Sequence, residues 1–93
     1  MSENKEVKKD WIQEVYDNGK LKIEGIYIDG LKDGWFHERY ENGNLKRKGY
    51  YSKGKENGPF EIYHENGKLK RRGFFKEGRL TGDFETYDEE GRL

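Results

Sequence analysis

Ninety-three residues suffice for one small domain, but 30% hydrophobic against 41% charged residues leaves too few aliphatics for a compact two-layer core. Nineteen basic and nineteen acidic side chains cancel, so no global field points to nucleic acid or to an anionic membrane. The absence of cysteine excludes disulfides, thiol catalysis and thiolate metal sites.

The chain opens with MSENKEVKKD, Met1–Asp10, which lacks an apolar stretch of signal-peptide type and reads as a polar cap or disordered tail. No apolar run anywhere is long enough to span a bilayer, and a soluble, cytoplasmic protein is expected. From Trp11 onward a lattice takes over. Gly19, Gly43, Gly67 and Gly91 are 24 residues apart, as are Gly25, Gly49 and Gly73, then Gly30, Gly54 and Gly78, then Gly34, Gly58 and Gly82. These are all thirteen glycines of the chain. A fixed period of this size marks a solenoid or array whose units bury their faces only against neighbours. The units are residues 11–34, 35–58 and 59–82, with a half unit at 83–93.

Glycine every five or six residues excludes long helices, because each interior glycine costs about 1 kcal/mol relative to alanine. Asn18-Gly19, Asn42-Gly43 and Asn66-Gly67 each sit between alternating runs, the strongest short hairpin signal, and fit a two-residue type I′ turn. Each unit then reads as one hairpin, with a GxxxG loop such as Gly30–Gly34 leading to the next. A two-residue turn sets Tyr16 opposite Leu21, Tyr40 opposite Leu45 and His64 opposite Leu69. It also sets Ile12, Phe36 and Phe60 opposite Gly25, Gly49 and Gly73, where an aromatic ring covers exposed strand backbone. A three-residue loop with a bulge would instead shift the partners by one.

Under this register Tyr27, Tyr51 and Phe75 join one face. Trp11, Trp35, Tyr50, Pro59 and Phe74 share the other with Lys22, Lys46 and Lys70 and with Lys48 and Arg72 beside them. The expected architecture is all-β: an open single-layer antiparallel sheet of tandem β-hairpins, elongated and twisted, with Asp83–Asp88 as an exposed edge strand.

The string G-x-[WF]-x-x-x-Y-x-N-G-x-L runs from Gly34-Trp35 to Leu45 and, with Pro59 and a displaced Tyr63, from Gly58 to Leu69. It resembles the MORN-repeat variant of bacterial proteins, in particular tandem antitoxin-like members. The resemblance covers Trp11 to Leu93 and implies a non-catalytic hairpin scaffold with links to protein contacts, self-association and acidic lipids.

The residues themselves argue against catalysis. His37 and His64 fall on opposite faces, and the serines are Ser2 and Ser52, so nucleophile, base and orienting group do not assemble. No metal-ligand spacing and no cofactor motif is present. Acidic first strands facing basic second strands, as Glu38 with Arg47 and Glu61 with Arg72, read as cross-strand pairs worth roughly 0.2–1 kcal/mol each. The candidate partner surface is Trp11, Trp35, Tyr50, Tyr63 and Phe74 with Lys46, Lys48, Lys70 and Arg72. The expected ligand is another protein, a toxin in the narrower reading, and no nucleic acid. Anionic lipid is the first alternative, and self-association through the last strand is the second.

Overall fold

The computed structural model describes residues 7–93, apart from the side chain of Asp83. Its strands are β1 (Lys9–Val15), β2 (Leu21–Ile28), β3 (Leu31–Lys32), β4 (Gly34–Arg39), β5 (Leu45–Ser52), β6 (Lys55–Tyr63), β7 (Leu69–Lys76) and β8 (Arg79–Thr86). They form one antiparallel sheet in the order β1-β2-β4-β5-β6-β7-β8, with the short β3 paired to β2. The sheet is a single layer 11 Å thick between its outermost Cα atoms. β1 begins two residues inside the stretch read as a polar tail, and residues 1–6 of that stretch lie outside the described part.

The two kinds of turn exchange the roles expected of them. At Asn18-Gly19 the amide of Gly19 donates to Tyr16 O at 2.9 Å and the amide of Tyr16 to Lys20 O at 2.8 Å. Gly19 has φ +84° while Asn18 stays at negative φ. This is a three-residue loop built on a type I turn and closed by a left-handed glycine, not a type I′ turn. The same bonds recur at Tyr40/Asn44 and His64/Lys68. Tyr16, Tyr40 and His64 are therefore not opposite the leucines; Val15, Arg39 and Tyr63 are. One irregularity per hairpin, such as that between Glu14 and Val15, then restores the expected pairs Ile12–Gly25, Phe36–Gly49 and Phe60–Gly73.

The two-residue turns with both central residues at positive φ are Asp29-Gly30, Lys53-Gly54 and Glu77-Gly78. They join Ile28 to Leu31, Ser52 to Lys55 and Lys76 to Arg79. The expected GxxxG loops are thus mostly strand. β6 and β8 run through them without a break, and only Asp33 interrupts the first, between β3 and β4. Residues 57–59 bulge against Tyr50, and Gly58 (φ +148°) permits this because a Cβ there would lie 3.1 Å from the Tyr50 Cβ.

Asparagine holds its place for a second reason. Its Oδ1 accepts from the amide two residues on (Lys20, Asn44 and Lys68, at 2.8–2.9 Å). Its Nδ2 donates to the carbonyl 23 residues on: Asn18 to Glu41 at 3.2 Å, Asn42 to Glu65 at 3.0 Å and Asn66 to Glu89 at 2.8 Å. Only a side-chain amide supplies both functions at that length. A parallel set runs beside it, with Tyr16 Oη donating to Arg39 O and Tyr40 Oη to Tyr63 O, both at 2.6 Å. His64 fills the third tyrosine slot, its Nε2 3.0 Å from Tyr87 O. Because a carbonyl can only accept, this contact requires the Nε2–H tautomer.

One face, here the packed face, carries what core there is. Phe36 and Phe60 are the buried hydrophobics, 5% and 3% exposed. Tyr27 and Tyr51 meet Phe36 edge-on at 5.6 and 5.4 Å, and Phe75 meets Phe60 at 4.9 Å. The expected ring over glycine is kept at Gly73, where Phe60 covers it, and changes partner at Gly25. A Cβ on Gly25 would collide with the Phe36 ring of the following unit, and one on Gly73 would lie 2.9 Å from both Phe60 Cε1 and Phe84 Cβ. Gly49 is not under Phe36. A Cβ there would instead lie 2.6 Å from Glu56 Oε2 and 2.9 Å from Arg47 Nη1, side chains joined by an ion pair in which Arg47 Nη2 donates to both Glu56 oxygens at 2.6 and 2.7 Å. Burial works against the Arg47 charge, but the Glu56 bond and field outweigh it and raise its pKa. Arg47 therefore pairs with Glu56 of the next strand rather than with Glu38, although Glu38 is opposite it in register.

Two outcomes follow for stability. Gly25→Ala is expected to cost about 1–3 kcal/mol through overpacking against Phe36, read as a lower urea midpoint; an unchanged midpoint would refute the ring-over-glycine contact. Tyr40→Phe is expected to cost about 1 kcal/mol by leaving the Tyr63 carbonyl without its donor, measured the same way against the parent.

Candidate interaction face

The opposite face is built from the alternate positions of the same strands, and among the described residues no second layer covers it. Three rows cross it. In the first, Trp11 is opposite Ile26, Trp35 opposite Tyr50 and Pro59 opposite Phe74. Trp35 and Tyr50 meet edge-on at 5.3 Å. Trp11, Trp35 and Phe74 remain 59%, 41% and 58% exposed. The placing of these residues on one surface agrees with the sequence reading.

The second row is polar across the whole sheet: Gln13, Glu24, His37, Lys48, Glu61, Arg72 and Glu85 are successive partners from β1 to β8. Lys48 lies 3.5 Å from Glu61, and Arg72 lies 2.6 Å from Glu85. The expected Glu61–Arg72 pair is adjacent in register, yet Arg72 takes Glu85 as its close partner and Glu61 takes Lys48. The cations bond to the later strand in each case, across the junction between units. Lys48 also sits over the Trp35 ring at 5.1 Å, tying the polar row to the aromatic one.

The third row holds tyrosines. Tyr63 Oη donates to Glu61 Oε1 at 2.6 Å, and Tyr87 Oη to Glu85 Oε1 at 2.7 Å. Burial, and then the Glu61 bond and charge, push the Tyr63 phenol up to about 12. The Tyr87 phenol is raised by its bond to Glu85, and the Glu85 carboxyl is lowered by that bond and by Arg72. The base–Glu–Tyr set, Lys48–Glu61–Tyr63 and Arg72–Glu85–Tyr87, thus occurs twice, 24 residues apart. Repetition in phase and full cross-pairing fit a supporting framework rather than a reactive centre.

The rows enclose a groove of about 580 Å³, with Trp35 and Phe74 as walls, Pro59 on the floor, and Lys48, Glu61 and Arg72 along one side. Its volume falls in the range of ordinary ligand sites, roughly 300–1,000 Å³. Of the residues singled out in the sequence, Trp35, Lys48, Phe74 and Arg72 meet here. Tyr50 backs Trp35, and Tyr63 reaches the rim through Glu61. Trp11 stands apart on β1. Lys46 lies over the Tyr40 ring at 5.7 Å, and Lys70 is exposed at the start of β7; neither lines the groove. Glu61 and Glu85 were missed as site residues, because a carboxylate among nineteen acidic side chains gives no local signal; only the register shows that both fall in the cationic row.

No group of three or more His, Cys, Asp or Glu with metal-binding geometry occurs among the described residues. No helix there is long and apolar enough to cross a membrane.

The Tyr63 environment gives a pH signature. Its pKa rises on folding from the ordinary 10.0 to about 12, so the folded state holds this proton where the unfolded chain releases it. The contribution is complete below pH 10 and is lost as pH climbs towards 12. The absorbance difference between parent and Tyr63→Phe should therefore place one phenol ionising near pH 12, and its appearance near 10 would contradict the Glu61 contact.

The family model of the MORN repeat variant matches residues 12–29, 36–53 and 56–77, more than half of the chain. No curated protein and no solved structure matches it. MORN repeats form non-catalytic scaffolds and are associated with protein or membrane-lipid interaction. With three matched units that coincide with the hairpins β1–β2, β4–β5 and β6–β7 of one open sheet, the chain belongs to the MORN repeat variant family.

Proposed function

We propose that this chain is a protein-binding repeat scaffold that acts through the uncovered face of its sheet. One observation carries this reading. In the interior of the sheet Phe36 and Phe60 are buried on one face, whose exposed Leu80 and Phe84 lie on the edge strand β8, while Trp11, Trp35 and Phe74 stand exposed on the other, Trp35 and Phe74 on interior strands. Exposed aromatic surface rimmed by paired charges is the composition of a contact patch with a few strong anchors. The polar row is internally neutralised, which favours a protein surface over a phosphate-rich one. A carboxylate-paired arginine offers a phosphate no net gain unless it gives up its partner.

The antitoxin reading narrows the partner to a toxin and rests on family analogy. Its test is direct: co-expression with a candidate toxin should restore growth, and failure to do so removes that subclass only.

For the general reading, the Trp35→Ala/Phe74→Ala variant is expected to lose whatever protein the parent retains from its source lysate, with an unchanged circular dichroism spectrum. Equal retention by both would overturn the assignment of this face. Salt-sensitive co-sedimentation with phosphatidylserine vesicles, undiminished in the variant, would transfer the function to lipid binding.

A further inference from the structure

The third unit breaks the lattice at the position that matters most for the groove. The slot filled by Trp11 and Trp35 is filled by Pro59. Proline is short, so the row Trp35, Tyr50, Pro59, Phe74 has a gap at β6, between the Trp35–Tyr50 pair and Phe74, and the groove lies over it. β5 and β7 are two strand spacings apart, about 10 Å. Ring-to-ring contact takes about 3.5–4 Å on each side, so the space left above Pro59 accepts one aromatic side chain, lying where a third tryptophan would otherwise sit.

The charges at the two ends of this gap differ. Towards the three-residue loops lies the neutralised row of Lys48, Glu61, Arg72 and Glu85. Towards the two-residue turns, the same face carries Lys55, Lys76 and Arg79. Lys76 and Arg79 are direct cross-strand partners, an arrangement of like charges that is destabilising by itself. Among the described residues, none of the three forms an ion pair. Lys55, four residues along β6 from Pro59, also lines a second depression of about 330 Å³ with Lys53, Asn57 and Glu77. The unneutralised end of the gap is therefore basic.

The geometry points to an acidic segment of a partner protein bearing an aromatic anchor, with its ring inserted above Pro59 between the Trp35–Tyr50 pair and Phe74 and its carboxylates on Lys55, Lys76 and Arg79. This deepens the protein-binding reading and rests on it. Charge complementarity selects the occupant: a basic peptide would meet Lys76 and Arg79 with like charge, and a purely acidic one would leave the groove empty.

The test uses the full chain and short labelled peptides followed by fluorescence anisotropy. A peptide with one tryptophan between Asp/Glu pairs should bind, and binding should weaken with salt. Replacing its tryptophan by alanine, or its acids by lysine, should weaken binding at least tenfold. Pro59→Trp fills the gap with the residue the lattice already carries at the two earlier positions, and should abolish binding. Should that variant fail to fold, Phe74→Ala, a surface change, should give the same loss. The charge arm is Lys76→Glu/Arg79→Glu, expected to lower affinity and flatten the salt dependence.

Undiminished binding to Pro59→Trp or Phe74→Ala, equal binding of the alanine peptide, or capture of phosphatidylserine vesicles in place of the peptide would each overturn the inference. Retention of a lysate protein that depends on Trp35 and Phe74, without acidic-peptide binding, would overturn it and leave the general protein-binding reading standing.

Discussion

A donor in one turn must find the carbonyl of the next turn, 23 residues later, and the structure hangs on that requirement. Tyr16, Tyr40 and His64 meet it with one set of bonds, Asn18, Asn42 and Asn66 with another. A single-layer sheet has no second layer to hold its strands in register, so register must be fixed from within the layer. Strand pairing alone leaves slippage possible. A fixed donor on each turn allows one spacing only, and a 24-residue period is its consequence.

The same requirement explains why the layer can be thin. Phe36 and Phe60 are the buried hydrophobics among the described residues, and no large side chain there is fully buried. Stability is spread over repeated small terms: a ring across a glycine, a cation over a ring, an ion pair reaching the next strand. Lys32 between the Phe36 and Tyr51 rings, at 5.1 and 4.9 Å, and Arg71 over Phe84 at 5.1 Å belong to this set. Each unit supplies half of a contact and its neighbour the other half, the energetic pattern of a quasi-one-dimensional protein. Because one face is given over to this packing, the other is free to differ from unit to unit. Pro59 in the slot of Trp11 and Trp35 shows that freedom, since it alters the surface without disturbing the pairing of Phe60 with Gly73.

Much of this was legible in the chain. The glycine lattice determined the repeat, its length and the exclusion of helices, since glycine at that density cannot sit in helix interiors. The alternation of residues around Gly25, Gly49 and Gly73 determined which side chains share a face. That alternation is why Trp35, Tyr50, Lys48, Phe74 and Arg72 share one face. The polar first and second strands likewise determined that charges would be cross-strand neighbours.

Tertiary structure decided what depends on more than one unit at a time. Asn-Gly is compatible with two kinds of turn, and all three adopt the three-residue loop, with the Asn amide bonded to the next turn's carbonyl. The tight type I′ turns went to Asp29-Gly30, Lys53-Gly54 and Glu77-Gly78 instead. The cover over Gly49 became the Arg47–Glu56 pair rather than Phe36, because the slot shared by Lys32, Glu56 and Leu80 varies in chemistry and its occupant reaches back over the preceding strand. The choice of ion-pair partners and the groove over Pro59 arise in the same way. Both are set by side chains meeting across a junction between units, which a sequence records only as residues far apart.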